Sequence, residues 1–305
     1  MINVALIGKG YWGSKLEGYI KKNPHMKLVV VCDSNSDLDK EVYKNSKIEA
    51  VFVVTPDETH YQIVKNILAN KKHVMCEKPL AFTKKQCLEL EQLAKKNNAM
   101  LCVDYTHTFS ESVNFARKLV KEGVLGKIQG IEMQMKQLGP FERKNVYWLS
   151  ASHMLAVLDM FVGLKGIKFN KKDIVVSRLR SNRGSSTESG QKGKVETGVI
   201  YFTSSNFSGQ IFASLNCPKK ERGFALYGQN GTIIYNPLLA KSLQLTTYKR
   251  AGEKLVESSI NNTFFTFDDS RNLKNVVEYF VQVIHKKSES NIKRAVLVTE
   301  ILENL

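Results

Sequence analysis

The chain has 305 residues, 43% hydrophobic and 24% charged, with a formal net charge of +16. Those values suit two globular domains with a sizeable core and exclude a disordered chain. No apolar run approaches the roughly 20 residues that a membrane-spanning helix needs, so no membrane partner is expected.

The first residues run straight into a strand pattern, so no secretory leader is expected. The five cysteines, Cys32, Cys76, Cys87, Cys102 and Cys217, are odd in number, far apart and form no CxxC pair. They read as reduced thiols of a cytoplasmic protein, and no metal site is expected. The lysines lie in scattered pairs such as Lys21-Lys22, Lys71-Lys72 and Lys95-Lys96, without a basic stripe interleaved with aromatics. Nucleic acid is therefore not an expected partner. The charge reads as solvated helix faces, with steering of an anionic substrate as the functional alternative.

In chain order, Met1 to Ile7 (MINVALI) is an apolar, β-branched run. It leads into Gly8-Lys9-Gly10-Tyr11-Trp12-Gly13 and then a helical pattern from Ser14 to Ile20. Strand, GxGxxG turn and helix in that order form a dinucleotide-binding fingerprint. The first glycine turns the chain, the second admits a pyrophosphate to the backbone, and the third lets helix and strand pack closely. The anion then rests on the helix N-terminus. A second apolar run, Lys27 to Cys32, ends in Asp33, 20 residues after Gly13. An acid there accepts hydrogen bonds from ribose hydroxyls and repels a 2′-phosphate, which favours NAD over NADP. The competing reading of Asp33 is a turn or helix cap.

A short helical stretch, Leu38 to Asn45, precedes the strand Ile48 to Val54. The loop Thr55-Pro56-Asp57-Glu58-Thr59-His60 opens a helix from Tyr61 to Asn70. The strand His73 to Cys76 ends at Glu77-Lys78-Pro79, a helix spans Lys84 to Asn97, and the strand Met100 to Val103 ends at Asp104. Alternating strands and helices predict a parallel sheet with the marked loops along its ligand-binding edge. From Asp104 the pattern changes. A helix (Ser112 to Glu122), a strand (Ile128 to Gln137), a loop (Leu138 to Trp148) and a helix (Ala151 to Val162) are followed by extended runs. These are Ile174 to Arg180, Val195 to Thr203, Phe207 to Leu215, Gly223 to Tyr227, Thr232 to Tyr235 and Ser242 to Tyr248. Ser181 to Lys194 reads as a polar, glycine-rich loop, and two amphipathic helices, Leu273 to His285 and Ile292 to Leu302, close the chain. The fold class is α/β: a Rossmann-type parallel-sheet domain (1–104), then an α+β domain (105–305) with an open, mainly antiparallel sheet, for substrate binding and oligomerisation. The closing helices are candidates to pack back on the first domain.

Glu77-Lys78-Pro79 after a strand, with GxGxxG upstream and Thr55-Pro56…His60 between, resembles the glucose–fructose oxidoreductase and inositol dehydrogenase family (Gfo/Idh/MocA), over nearly the whole chain. The resemblance implies a nicotinamide cofactor and hydride transfer at a sugar or polyol carbon. It implies cofactor contacts from Gly8, Lys9, Gly10, Tyr11, Trp12, Gly13, Asp33, Thr55, Pro56, His60, Glu77 and Lys78. Lys78 is also the implied catalytic ammonium, with the Lys78-Pro79 bond a candidate for cis. Asp104-Tyr105-Thr106 and Asn145-Val146-Tyr147-Trp148 look like the subgroup of nucleotide-sugar and surface-polysaccharide pathways. Beside a nicotinamide, an ammonium stabilises the alkoxide formed as hydride leaves.

His153 occupies the place of the family's acid–base histidine; the bland reading is a satisfied helix histidine. The family's Asp four residues earlier is Leu149 here, and Met154 follows the histidine. Without that carboxylate the imidazole is a weaker base. Asp104 or Glu142 are the substitutes in question. Otherwise Lys78 and His153 suffice, the reaction differs, or the chain is a catalytically impaired nucleotide-binding sensor or scaffold. A second departure is the shortened Asp33–Val51 stretch, which predicts a more open adenine side. Tyr105 and His107 are candidate substrate contacts or packing residues, and Arg143, a candidate substrate contact, joins Lys144, Arg180 and Arg183 as candidate phosphate contacts or solvated loop charges. The resemblance also implies a homodimer or homotetramer, joined through the outer face of the second sheet.

Overall fold

The computed structural model describes residues 1–139, 145–177, 194–252 and 254–305. The chain divides into two compact units, Met1–Ser110 with Ser270–Asn304, and Glu111–Asp269. In chain order the regular elements are β1 (Ile2–Ile7), α1 (Tyr11–Lys22), β2 (Met26–Cys32), β3 (Ala50–Val53), α2 (His60–Ala69), β4 (His73–Glu77), α3 (Lys84–Lys96), β5 (Leu101–Asp104), α4 (Glu111–Lys121), β6 (Ile128–Leu138), α5 (Ser152–Val162), β7 (Lys168–Ser177), β8 (Lys194–Thr203), β9 (Ser208–Ser214), β10 (Asn216–Gly228), β11 (Gly231–Tyr235), β12 (Leu243–Ala251), β13 (Lys254–Phe265), α6 (Asn272–Ile284) and α7 (Ile292–Asn304).

The first unit is a parallel sheet of five strands in the order β2-β1-β3-β4-β5. Its central strands are apolar at consecutive positions because both faces are covered. β3, Ala50 to Val53, is wholly buried. Between β2 and β3 the one helical segment is a single turn, Asp39–Tyr43. α6 belongs to this unit. Its buried Leu273, Val276, Val277 and Phe280 follow a helical stripe and share a core with β1, α1 and Phe52. The Phe280 ring meets Phe52 edge-on, 5.2 Å between centroids. α7 lies against α3 and β5. Just before it, the Asn291 amide accepts a hydrogen bond from the Val103 N–H (2.9 Å) and donates to the Val103 carbonyl (2.7 Å). One side chain thereby serves as a strand partner on the edge of β5.

The second unit is an eight-stranded sheet in the order β13-β12-β11-β10-β6-β9-β8-β7. All its neighbours are antiparallel except β6 and β9. Alternation decides the faces. Ile131, Met133 and Met135 of β6 are buried, with Ile211, Phe224, Leu226 and Ile233 on neighbouring strands. The registers align Tyr201, Gln210, Glu132, Ala225, Ile234, Gln244 and Phe264 as one cross-strand row on the opposite face. Tyr201, Ile234 and Phe264 in that row are exposed. The same face holds a depression of about 290 Å³ whose lining includes Lys136, Phe212 and Arg222.

Three strand expectations are corrected. β7 begins at Lys168 rather than Ile174, and residues 178–180 of that expected run lie outside the described residues. β10 begins at Asn216, seven residues before the expected Gly223. β13 was not expected at all. The expected loop ending at Trp148 is instead helical from Tyr147, a one-turn segment Tyr147–Ala151 that runs into α5. The expected polar loop from Ser181 falls on residues outside the description, as do Arg143, Lys144, Glu142, Arg180 and Arg183.

Candidate active site

In the first unit the strand order reverses between β1 and β3, and a parallel sheet binds ligands beyond the strand C-termini at that point. The Gly8–Gly13 turn leaves β1 there and the Thr55 loop leaves β3. The turn is tightly built. Gly8 has φ of +101°, and a Cβ on it would lie 2.3 Å from the Val54 carbonyl oxygen. A Cβ on Gly13 would lie 1.9 Å from the Gly8 carbonyl oxygen. Both positions are closed to any larger residue. α1 begins with no side-chain cap and no acid in its first turn. Its dipole end and backbone N–H groups therefore present positive character at the turn. Lys9, Gly10, Tyr11 and Trp12 are exposed around it. The Lys15 ammonium bonds the Tyr11 hydroxyl at 2.7 Å and lies 5.0 Å from the Trp12 ring centroid, which adds a cation beside the turn.

Asp33 follows β2 and is exposed. Its Oδ1 accepts the Asn35 N–H at 2.9 Å, an Asx turn that fixes the carboxylate at the sheet edge. The capping reading of Asp33 therefore holds, and it leaves the charge at the surface.

His60 lies deeper than a cofactor contact would. It is fully buried, with Nδ1 2.7 Å from the Pro79 carbonyl and Nε2 2.9 Å from that of Thr55. The ring ties the Thr55 loop to the Lys78-Pro79 loop, so it acts on the site by holding two backbones in place. Thr55 takes a further contact from the Thr59 hydroxyl, 2.7 Å away, and Pro56 is exposed.

The loop after β4 carries Glu77, Lys78 and Pro79, and the Lys78-Pro79 bond is cis. Lys78 is 9% exposed. Glu77 and Asp104 are register partners at the ends of β4 and β5. Glu77 Oε2 accepts the Lys78 N–H at 3.2 Å, and Asp104 Oδ1 accepts the Thr106 hydroxyl at 3.0 Å. Burial, followed by the negative charge of Asp104, holds the Glu77 carboxyl well above the usual range, against the pull of the Lys78 ammonium. Burial likewise pushes Asp104 up to about 6, opposed by hydrogen bonds from Thr106 and Glu77 and by Lys78. Tyr105 is wholly buried, 1% exposed, which is the packing alternative. His107 is half-buried in the one-turn helix Thr106–Phe109.

In the second unit His153 is half-buried at the second position of α5. Leu149, one turn earlier, is on the preceding helical turn and shares its side of the helix. Asp159 lies six residues on, away from that side. Tyr147 is an anchor. It is buried, its hydroxyl donates to Asp173 Oδ1 at 2.8 Å, and its ring covers Gly198, where a Cβ would lie 2.1 Å from that hydroxyl. This pairing was not legible from local pattern, because Asp173 and Gly198 are distant from Tyr147 in the chain. Among the described residues no cluster of His, Cys, Asp or Glu is placed to hold a metal ion.

Residues 2–105 match the oxidoreductase family with an NAD-binding Rossmann fold, Gfo/Idh/MocA. The match covers about a third of the chain and lies within the parallel-sheet domain. It is 32% identical over 142 residues to 2,7-anhydro-N-acetylneuraminate hydratase of Escherichia coli (strain K12), a match spanning 42% of this chain and 38% of that protein. The chain thus spans well under half the length of the curated relatives it matches. The structure resembles levoglucosan dehydrogenase solved with NADH and levoglucosan (TM-score 0.80, 17% identity, 99% of this chain and 95% of that one). It also resembles a 3-ketoreductase from Actinomadura kijaniata solved with TDP-benzene and NADP (TM-score 0.78, 14% identity, 100% and 96%). These likenesses show a shared fold, a parallel-sheet domain followed by a mainly antiparallel one.

Proposed function

We propose that this chain is an NAD-dependent oxidoreductase acting at a carbon of a sugar or nucleotide sugar. One observation carries the reading: an uncapped helix behind a glycine turn and a buried lysine lie along the same edge of one parallel sheet. The turn Gly8–Gly13 would receive the pyrophosphate, Asp33 the adenine ribose, and the loops at Thr55 and Glu77 the nicotinamide end. The bound cofactor supplies the hydride acceptor or donor. Lys78 holds a proton at Nζ, binds the substrate oxygen and stabilises the charge that develops on it. His153 is the second acid–base group in this reading. The carbohydrate substrates named for the hydratase and for levoglucosan dehydrogenase support a sugar class. Neighbours solved with NADH and with NADP leave Asp33 as the ground for choosing NAD. The nucleotide-sugar subgroup, a cytoplasmic setting and self-association through the outer sheet face complete the proposal. Among the described residues no helix is long and apolar enough to cross a membrane.

NADH fluorescence, with candidate nucleotide sugars and turnover assayed in both directions, tests it. Tight NADH binding with turnover that falls at least 100-fold in Lys78→Ala is the expected result. Leu149 favours one rival, a nucleotide-binding sensor or scaffold of the same fold. NADH binding without turnover in either direction would establish that rival instead.

A further inference from the structure

Glu77 and Asp104 are two carboxyls at adjacent strand ends with one ammonium beside them, and the mechanism above uses only the ammonium. Asp104 is 1% exposed. Its Oδ1 is satisfied by the Thr106 hydroxyl. Its Oδ2 is buried and, among the described residues, meets no hydrogen-bond donor. A buried carboxylate oxygen without a donor is costly. Glu77, its register partner, interacts with it directly, and a proton on Glu77 supplies the donor that Oδ2 lacks. Two carboxylates so placed cannot both ionise cheaply. The remaining titratable and charged groups facing the pair come from three loops or strands: Lys78 beyond β4, Asp57 beyond β3, and the Cys76 thiol within β4. Asp57 and Cys76 add negative charge or none. Lys78 is therefore the one cation that these groups include.

We propose that Glu77 and Asp104 share a single proton and exchange it with the Lys78 amine, making the pair the proton store behind that lysine. The inference rests on the reading of Lys78 as the site's ammonium. When substrate alcohol is oxidised, the Lys78 ammonium first gives a proton to the carboxylate of the pair, which goes from monoanion to neutral acid, and the amine so formed takes the alcohol's O–H proton; the C–H electron pair would leave as hydride to a bound nicotinamide. Reduction runs the same transfers backwards. Glu77 and Asp104 are positioning residues, since they reach the substrate only through Lys78.

The test uses the full chain without cofactor, so it does not depend on turnover. Carboxyl-labelled Asp and Glu are followed by ¹³C NMR, and the Lys78 Nζ by ¹⁵N NMR, from pH 4 to 9. A carboxyl step near pH 6, seen in the same pH range at Lys78 Nζ, is expected in the native chain. Asp104→Asn should abolish that step at both nuclei, and Asp104→Glu should restore it. Two ordinary carboxyl titrations below pH 5, or a Lys78 signal without an inflection near 6, would overturn the shared proton. If turnover is found, its acidic limb should vanish in Asp104→Asn and return in Asp104→Glu; an unmoved limb overturns the exchange with Lys78. A chain that shows the coupled step yet binds no NADH would refute the proposed oxidoreductase and leave the proton pair standing.

Discussion

A methyl group on Gly10 would meet nothing within 4 Å, whereas Gly8 and Gly13 admit none. Folding and cofactor binding therefore separate at Gly10. Gly10→Ala should melt within about 1 °C of the native chain while NADH affinity falls at least tenfold, read by thermal denaturation and fluorescence titration. Asp33 offers a second separation. Asn at this position keeps the Asx turn to Asn35 and removes the charge, so Asp33→Asn should weaken NADH binding and narrow the preference over NADPH, measured as the ratio of the two Kd values. Asp104 adds a pH signature. Its folded value of about 6 exceeds its ordinary 3.8, so its protonated form favours the fold. That contribution is complete below 3.8 and is lost as pH rises through 6. Asp104→Asn should accordingly stabilise the chain at pH 8 by about 1–3 kcal/mol and by almost nothing at pH 3.5, read from urea midpoints. The glycines, Asp33 and Lys78 were legible as residues because their chemistry depends on short spacing from a strand end. The clamp made by His60 was not, since its partners are two backbone carbonyls that only the fold brings to it.

At the scale of elements, legibility followed the source of the stabilising contacts. β3 is apolar throughout, and β1 and β5 are apolar except at Asn3 and Asp104, because helices cover both faces, and a short apolar run announces such a strand. β13 contains Ser259-Ile260-Asn261-Asn262-Thr263, a polar run that pairs with β12 at the sheet's edge. Its strand state comes from a ladder formed with another element, which local composition does not carry. The first half of β10, Asn216 to Arg222, is charged for the same reason: it lies where the sheet faces solvent. The edge of β5 shows how a single residue completes an element. Asn291 occupies the N–H and C=O of Val103, and removing it leaves both groups without those bonds. Asn291→Leu should destabilise the first unit by about 2–6 kcal/mol, at about 1–3 for each buried group left unpaired. Amide exchange should accelerate most at Val103.

At the scale of the molecule two properties oppose each other. The outer face of the second sheet presents Tyr201, Ile234 and Phe264 in one cross-strand row, and an apolar row of that kind on an open sheet gains by being covered. The net charge of +16 makes any second copy of this chain repel the first. If self-association through this face is correct, it is driven by apolar burial and resisted by long-range charge. The Debye length falls from about 30 Å at 0.01 M to about 8 Å at 0.15 M salt, which removes the repulsion and leaves the burial intact. The oligomer should therefore strengthen with added salt, the reverse of an interface built on ion pairs. Light scattering at the two salt concentrations would read this directly. Ile234→Asp should dissociate the assembly at both, because the new carboxylate is desolvated in the covered face, and should leave the monomer folded, since Ile234 is 44% exposed. An assembly that loosens with salt, or one indifferent to Ile234→Asp, would place the contact on some other surface.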